Sequence, residues 1–220
     1  MKLLEINLKR AFDLAASGAG LAVLGPVLLG VAVAIKANDG GPVFYRGERT
    51  GRGGGTFRIF KFRTMVMDAE KLGSATTSDQ DARITRVGRL IRKFKIDELP
   101  QLLNVVAGDM SLVGPRPEVK KFTDMYSEEE KAILEVRPGI TDWASIWNND
   151  EGSVIERSGI ADADEAYAKL IRPTKIKLQL RYVQKKSLVT DIGIIFRTIK
   201  AVAERNHDVS DLAPPPGAES

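Results

Sequence analysis

The sequence contains no cysteine and a single histidine, His207, close to the C-terminus. Without cysteine, the chain forms no disulfide, no thiolate metal site and no cysteine nucleophile. With one histidine, neither a histidine-based catalytic triad nor a zinc cluster is expected. Any nucleophilic or acid–base chemistry must therefore use carboxylates, lysines or hydroxyl groups.

Aromatic residues are also scarce, at 6% of the chain, which is too few to build a base-stacking platform. We therefore expect no nucleic-acid partner, although the net charge is +4. Such a basic balance favours phosphates, nucleotides or acidic lipid headgroups as partners. The length of 220 residues predicts one compact domain with an appendage.

A long uncharged apolar run lies near the N-terminus, over residues 14–35. Its 22 residues would rise about 33 Å as a helix, enough to cross a hydrocarbon core. The run exceeds the apolar core of a cleavable signal peptide, which favours a retained membrane segment. Gly25 and Pro26 in its middle predict a break, which could kink a straight span or let the helix turn back within one leaflet.

The charges around this run favour the second alternative. Basic residues stand on both sides of it: Lys2, Lys9 and Arg10 before it, and Lys36, Arg46, Arg49 and Arg52 after it. Basic flanks stay on the cytoplasmic side, so a re-entrant helix satisfies both flanks and a straight span does not. We therefore predict a re-entrant membrane helix over residues 1–36, with the membrane break at Gly25 and Pro26.

The rest of the chain predicts an α+β, mostly helical catalytic domain over residues 37–206 and a disordered tail over residues 207–220. Two short strands, at residues 43–45 and 56–60, are predicted to pair as a β-hairpin across a glycine-rich connection. Apolar periodicity, a serine cap and turn signals predict helices over residues 83–95, 97–106, 127–136, 162–183 and 192–205.

The first candidate for chemistry is the adjacent acidic pair Asp97 and Glu98. If Asp97 caps the following helix, Pro100 falls in the first turn, where its missing N–H matters little. The pair would then lie at the positive end of a helix, which favours ionised carboxylates and attracts phosphate. One carboxylate could attack phosphorus while the other holds Mg²⁺. The alternative is an ordinary capped helix.

The second candidate is the set of basic residues next to rigid backbone. Lys61 and Arg63 lie within a predicted strand region, Arg116 lies between two prolines, and Arg137 precedes Pro138. A fixed guanidinium suits bidentate phosphate recognition. The basic helix over residues 83–95, which contains Arg92, could also rest on anionic lipid, at ~1 kcal/mol per residue near the surface.

These motifs combine into a family pattern that covers nearly the whole chain except the tail. In order, the chain reads KRAFD at residues 9–13, GPVFYR at 41–46, FRIFKFRTM at 57–65, IDELPQL at 96–102, GDMSLVGPRP at 108–117 and VRPGIT at 136–141. With these motifs the chain closely resembles the small monotopic polyprenyl-phosphate phosphoglycosyl transferases of the bacterial sugar transferase family. One such block would be weak evidence, whereas all of them in this order are specific.

The resemblance implies a catalytic domain on the cytoplasmic face of the bacterial inner membrane, with a UDP-sugar donor, a polyprenyl phosphate acceptor and Mg²⁺. It implies that Asp97 attacks the β-phosphate, expels UMP and carries a covalent phosphosugar. Glu98 would bind Mg²⁺ and assist deprotonation of the acceptor. The basic residues implied to hold phosphates are Lys61, Arg92, Arg116 and Arg137. Longer relatives carry extra transmembrane helices, so the expectation here is a minimal, monofunctional form.

Three positions depart from the family pattern: Gly25 replaces a frequent serine, Asp142 replaces a usual glycine, and Gln179 replaces a frequent aspartate. The last two lie where we expect the sugar site, so the identity of the sugar and of the resulting glycan stays open. Two other functions use the same residues: a membrane-anchored, Mg²⁺-dependent phosphohydrolase of nucleotide sugars or lipid diphosphates, and a non-catalytic membrane scaffold. A homodimer is compatible with the exposed hairpin and amphipathic helices.

Overall fold

The computed structural model describes residues 3–69, 72, 81–148 and 151–204, so the tail predicted over residues 207–220 lies outside the described part. The helices are α1 Leu3–Asp39, α2 Arg86–Lys93, α3 Gln101–Ala107, α4 Lys120–Thr123, α5 Trp143–Trp147, α6 Glu151–Arg157, α7 Ala163–Ala166, α8 Arg172–Lys185 and α9 Leu188–Glu204. The strands are β1 Phe44–Tyr45, β2 Glu48–Thr50, β3 Thr56–Arg58, β4 Lys61–Phe62, β5 Ser111–Val113 and β6 Gly139–Thr141. This confirms a mostly helical fold with a few short strands.

Helix α1 is long and apolar enough to cross a membrane by length and composition, which is weakly compatible with membrane association. Its helical hydrogen bonding continues through Gly25 and Pro26, so the predicted break does not end the helix. Exposed valines and leucines such as Val23, Leu29 and Val33 cover the side that faces away from the rest of the chain. The re-entrant course of α1 stays a prediction.

The other side of α1 packs against the domain along most of its length. Near its start, the buried Asp13 accepts hydrogen bonds from the Ser111 hydroxyl at 2.8 Å and from the Leu112 N–H at 3.2 Å. Near its end, Ile35 packs with Phe62 and Ile91. Both ends of the apolar segment are therefore attached to the same domain.

The predicted hairpin exists, but its pairing is different. Strand β3 pairs with β2, in the register Arg49 to Phe57, whereas β1 pairs with β4, in the register Phe44 to Phe62. The predicted strand at residues 43–45 therefore pairs with residues beyond the second predicted strand. The polar segment that became β2 lacks an alternating apolar pattern, so the sequence did not indicate it as a strand.

Several predicted helices are shorter than expected or interrupted. The basic helix α2 begins only after Thr85, whose hydroxyl accepts a hydrogen bond from the Gly88 N–H at 2.9 Å. The segment predicted as helix at residues 127–136 is a 3₁₀ helix, Glu130–Glu135. Between α7 and α8 the backbone forms a π-helical turn, Tyr167–Ile171, and such turns are frequent at functional sites.

The parallel pair β5 and β6 brings the motifs at residues 108–117 and 136–141 side by side. Their register places Val113 opposite Thr141. Beyond β5, Gly114 and Gly139 approach so closely that a Cβ on Gly139 would lie 2.0 Å from the Gly114 nitrogen. Only glycine permits this approach, which sets Arg116 beside Asp142.

Candidate active site

The acidic pair lies in a tight turn between α2 and α3. Lys95 adopts a left-handed conformation with φ 56°, and a 3₁₀ turn, Ile96–Glu98, follows it. Pro100 is the residue before α3 and no side chain caps that helix, so the condition that Asp97 caps it is not met. Asp97 is buried instead, and its Oδ1 has no hydrogen-bond partner within the described residues.

Glu98 joins two cations that come from distant parts of the chain. Its Oε1 accepts a hydrogen bond from Lys61 Nζ at 2.8 Å, and its Oε2 accepts one from Arg116 Nη1 at 3.0 Å. A second guanidinium nitrogen of Arg116 also bonds Oε1, so the pair is bidentate. Both oxygens of Glu98 are therefore engaged, and both cations are fixed next to Asp97.

The two carboxylates have opposite electrostatic environments. Burial, and then the charge of Glu98, raises the pKa of Asp97 above its ordinary value, against the opposing charges of Lys61 and Arg92. Burial alone would raise the pKa of Glu98 as well, but the charges of Arg116 and Lys61 outweigh it and hold that pKa well below its ordinary value. Carboxylates with diverging pKa values in one site are typical of divided catalytic roles.

The backbone of Arg116 is held by two fully buried residues that the sequence marked as departures from the family pattern. Asp142 Oδ2 accepts hydrogen bonds from the Arg116 N–H at 3.2 Å and from Gln179 Nε2 at 3.3 Å. Gln179 Nε2 also donates to the Arg116 carbonyl at 3.4 Å. Asp142 Oδ1 caps α5 through the Ser145 N–H at 2.7 Å. The two departures thus contact each other and position Arg116.

The acidic pair opens into a cleft of about 1050 Å³. Among the predicted site residues, those that line the cleft are Lys61, Arg92, Asp97, Glu98 and Arg116. On the side of α2 the wall is basic and partly exposed, with Arg89, Lys93 and Lys95 beside Arg92. Arg92 has a buried Nη1 without a hydrogen-bond partner in the described part of the chain, which leaves it available to an anion.

Two predicted phosphate-binding residues do not line the cleft. Arg63 is buried and binds Asp39, with Nη1 to Oδ2 at 2.8 Å, and its Nε donates to the Pro42 carbonyl at 2.7 Å. This contact attaches the end of α1 to β4. Arg137 donates through Nε to the Gly108 carbonyl at 3.0 Å. Their roles in phosphate binding stay predictions.

Three further residues of the cleft wall were not singled out from the sequence: Glu118, Glu151 and Lys175. Glu118 directly follows the Pro115-Arg116-Pro117 motif, and this adjacency was the one signal that could have indicated it. Lys175 lies in a long helix among other lysines and arginines, where an exposed position is the ordinary expectation. Only the tertiary structure brings these three side chains together.

The donor set of the cleft fits Mg²⁺ held by few protein ligands. The described residues contain no group of three or more acidic or histidine side chains that could enclose a metal. Mg²⁺ keeps several waters and usually binds through one or two carboxylates together with substrate phosphates. Glu98 Oε2 accepts a hydrogen bond from Arg116 alone and keeps a lone pair that could bind the ion, and the free, buried Oδ1 of Asp97 lies in the same cleft.

Together, a buried free carboxylate, a second carboxylate bound by two cations and an open basic wall make this cleft a candidate site for a phosphorylated substrate. The chain belongs to the bacterial sugar transferase family, whose family model matches residues 4–205.

Three relatives illustrate the similarity. The chain is 39% identical over 200 residues to a UDP-N-acetylgalactosamine-undecaprenyl-phosphate N-acetylgalactosaminephosphotransferase of Aeromonas hydrophila, covering 89% of this chain but 43% of that protein. It is 39% identical over 197 residues to a UDP-glucose:undecaprenyl-phosphate glucose-1-phosphate transferase of Caulobacter vibrioides, covering 88% and 69%. It is 37% identical over 209 residues to the exopolysaccharide production protein ExoY of Rhizobium meliloti, covering 88% and 84%.

Proposed function

We propose that this chain transfers a sugar 1-phosphate from a UDP-sugar to a polyprenyl phosphate at the bacterial inner membrane, as a first membrane step of glycan assembly. The observation that carries the proposal is Asp97, a buried carboxylate with a free oxygen at the base of a cationic cleft. The names of the Aeromonas and Caulobacter relatives, which specify undecaprenyl phosphate as the acceptor, support the same reaction.

In the proposed first step, an Asp97 oxygen attacks the β-phosphorus of the donor. A bond forms between that oxygen and phosphorus, the bond from phosphorus to the bridging oxygen breaks, and UMP leaves with the electron pair. Lys61 and Arg116, fixed by Glu98, stabilise the charge on the phosphoryl oxygens. The unpartnered Nη1 of Arg92 is available to the phosphate of the leaving nucleotide.

In the proposed second step, a phosphate oxygen of the polyprenyl phosphate attacks the same phosphorus. The bond from phosphorus to Asp97 breaks, which restores the free carboxylate and gives a polyprenyl-diphosphate sugar. The lowered pKa of Glu98 makes it a weak base. A phosphate monoester with a second pKa near ~6 is mostly a dianion at neutral pH and needs little help. We therefore assign Glu98 the role of holding Lys61 and Arg116.

The proposal includes Mg²⁺, with Glu98 as the residue that would hold it together with the donor diphosphate. When bound, the ion would neutralise part of the charge of the diphosphate. Removal of divalent cations with a chelator is expected to stop UMP release, and added Mg²⁺ is expected to restore it.

The proposal also places both ends of α1 on the cytoplasmic side. Lys9, before the apolar segment, pairs with Asp191 of α9 at 2.5 Å, and Ile35, at its end, packs with Phe62. A helix that crossed the bilayer straight would place these two contacts on opposite sides, which one soluble domain cannot satisfy. Helix α9 adds a second exposed apolar stripe, formed by Val189, Ile192, Phe196 and Ile199.

The absence of native cysteine allows a clean topology test. Asn7→Cys and Asn38→Cys place single thiols at exposed positions on either side of the apolar segment. We expect a membrane-impermeant maleimide to label both variants in inverted vesicles and neither in intact spheroplasts. Labelling of the two variants from opposite sides would contradict the re-entrant course and support a straight span.

The raised pKa of Asp97 predicts the pH dependence of the first step. The reactive form is the carboxylate, so the rate falls as pH falls through that pKa, and the acid limb should lie above the ordinary aspartate value of about 3.9. The burst of UMP without acceptor isolates this step from titration of the lipid phosphate. Arg92→Gln removes a cation that lowers the pKa of Asp97, so the acid limb of this variant should move to higher pH. A wild-type acid limb at or below the ordinary aspartate pKa would contradict the role of Asp97 as the nucleophile.

The reaction itself is tested by acceptor dependence. Purified protein with Mg²⁺ and a panel of UDP-sugars should release UMP over many turnovers only when polyprenyl phosphate is present. A single equivalent of UMP, with a phosphosugar mass on the Asp97 peptide, is expected without acceptor. Sustained release without acceptor would instead indicate a phosphohydrolase.

A further inference from the structure

A charged cluster lies on the wall of the cleft that is formed by α6, α8 and the segment after Arg116. Lys175 is 4% exposed, and its Nζ contacts Glu118 Oε1 at 2.6 Å and Glu151 Oε1 at 2.9 Å. The Tyr167 hydroxyl donates to the same oxygen of Glu118 at 2.7 Å, and Lys175 lies over the Tyr167 ring, 5.1 Å from its centre. The cluster is therefore held rigidly from three sides.

Each of the two carboxylates keeps unused hydrogen-bonding capacity. All their side-chain contacts go to Oε1, so within the described residues Oε2 of Glu118 and Oε2 of Glu151 accept no hydrogen bond. Burial would raise the pKa of Glu151, but the charges of Lys175 and Arg116 outweigh it and lower that pKa. At neutral pH Glu151 is therefore ionised and can only accept hydrogen bonds.

The cluster adjoins the catalytic pair. Glu118, Glu151 and Lys175 line the same cleft as Asp97, and the charge of Glu151 acts on Arg116, which binds Glu98. The cleft also contains Gln101, which is 1% exposed and whose Nε2 has no partner in the described part of the chain. Unused acceptors and an unused donor thus share one cavity, as expected where a polyhydroxylated ligand binds.

The two walls of the cleft suit different parts of the donor. In the proposed reaction the sugar stays bonded to the phosphorus through both steps, whereas UMP must leave between them. The sugar therefore needs an enclosed, rigid wall, and the anionic nucleotide needs an open, basic one. The half-buried carboxylates Glu118 and Glu151, tied together by the buried Lys175, match the first requirement. The exposed Arg89 and Lys93 on α2 match the second.

We infer that Glu118, Glu151 and Lys175 form the sugar-binding subsite, in which the free carboxylate oxygens accept hydrogen bonds from hydroxyl groups of a neutral pyranose. The inference rests on the proposed function and names the substrate class of that same site. A carboxylate carried by the sugar would lie against the ionised Glu151 and could not donate a hydrogen bond to it, so the subsite disfavours an acidic sugar.

The experiment uses the full chain with three isosteric variants: Glu118→Gln, Glu151→Gln and, as a matched control, Glu165→Gln. Glu165 is exposed and pairs with Lys169 at 2.6 Å outside the cleft. For each protein, kcat/KM is measured with UDP-glucose, its epimer UDP-galactose and UDP-glucuronate, together with product inhibition by UMP, which has no sugar. Melting temperatures verify folding.

We expect both cleft variants to lose roughly 10- to 100-fold in kcat/KM for the preferred epimer, because each loses a hydrogen bond between a carboxylate and the sugar. The ratio of kcat/KM between UDP-glucose and UDP-galactose should therefore move towards one. The ratio between the preferred epimer and UDP-glucuronate should also become smaller, because each variant removes a negative charge from the subsite. Inhibition by UMP should be unchanged, and Glu165→Gln should match the wild type in every measurement.

Weaker inhibition by UMP with an unchanged sugar preference would overturn the inference and assign the cluster to the nucleotide. Unchanged values in both cleft variants would also overturn it. If Glu118→Gln, the more buried of the two, does not fold, Glu151→Gln at 34% side-chain exposure still decides the question. Failure of the wild type to release UMP with any donor and acceptor would instead refute the proposed function itself.

Discussion

Asp97→Asn is expected to abolish UMP release and to leave no phosphosugar on the chain. Asparagine keeps the shape of the side chain but supplies no anionic oxygen, so the covalent step has no nucleophile. Loss of a nucleophile of this kind costs at least about 10³-fold in turnover. The measurements are acceptor-dependent UMP release and the mass of the peptide that contains residue 97.

The same substitution should not reduce stability. The pKa of Asp97 is raised in the folded protein, so above that pKa the ionised side chain disfavours folding, and asparagine removes this unfavourable charge. The melting temperature of Asp97→Asn should therefore equal or exceed that of the wild type. Asp124→Asn, which changes an exposed aspartate paired with Lys120 at 2.5 Å, is the matched control and should retain full activity. Substantial turnover by Asp97→Asn would refute the nucleophilic role.

The central part of this site could be predicted from the sequence because its signals are local. The adjacent acids Asp97 and Glu98 sit in one short motif, and Arg116 is fixed by prolines on both sides. The structure places these residues together with Lys61. What the sequence did not indicate was the pairing itself: Glu98 binds two cations, and Asp97 is left free rather than capping a helix.

The rest of the site depends on tertiary structure. Asp142 and Gln179 lie on different elements, and each alone is a departure from a pattern. Their contact shows that a carboxylate at position 142 and an amide at position 179 together hold the backbone of Arg116. Likewise, in the sequence Lys175 is one of several basic residues of α8, and only the tertiary structure places it between Glu118 and Glu151.

Helix α1 shows a similar division. Hydropathy identified the apolar segment correctly, because the property is a sum over many residues. The same sum gave no sign that Ser17 is buried on the side of α1 that packs on the domain. Hydropathy also gives no information on which partners a helix has, so the attachment of Ile35 to Phe62 could not be predicted.

Arg116→Lys is expected to reduce kcat/KM by about 10²-fold or more, although it conserves the charge. The planar guanidinium donates several hydrogen bonds in a fixed geometry, whereas the lysine ammonium is a single point charge. The guanidinium binds both oxygens of Glu98 and still faces the cleft, and a lysine ammonium cannot reproduce this bidentate geometry. The measurement is kcat/KM for UMP release with saturating acceptor. Arg52→Lys, at an exposed arginine that donates to the Glu135 carbonyl, is the control and should behave as the wild type.

A double-mutant cycle separates the two functions of this arginine. If Arg116 acts on the donor only through its pairing with Glu98, the double variant should lose no more activity than Glu98→Gln alone. If Arg116 also contacts the phosphoryl oxygens, Arg116→Met should cost further activity in the Glu98→Gln background. We expect the second result, because Arg116 lines the cleft beside Asp97 in addition to binding Glu98. No further loss in that background would restrict Arg116 to positioning the acidic pair.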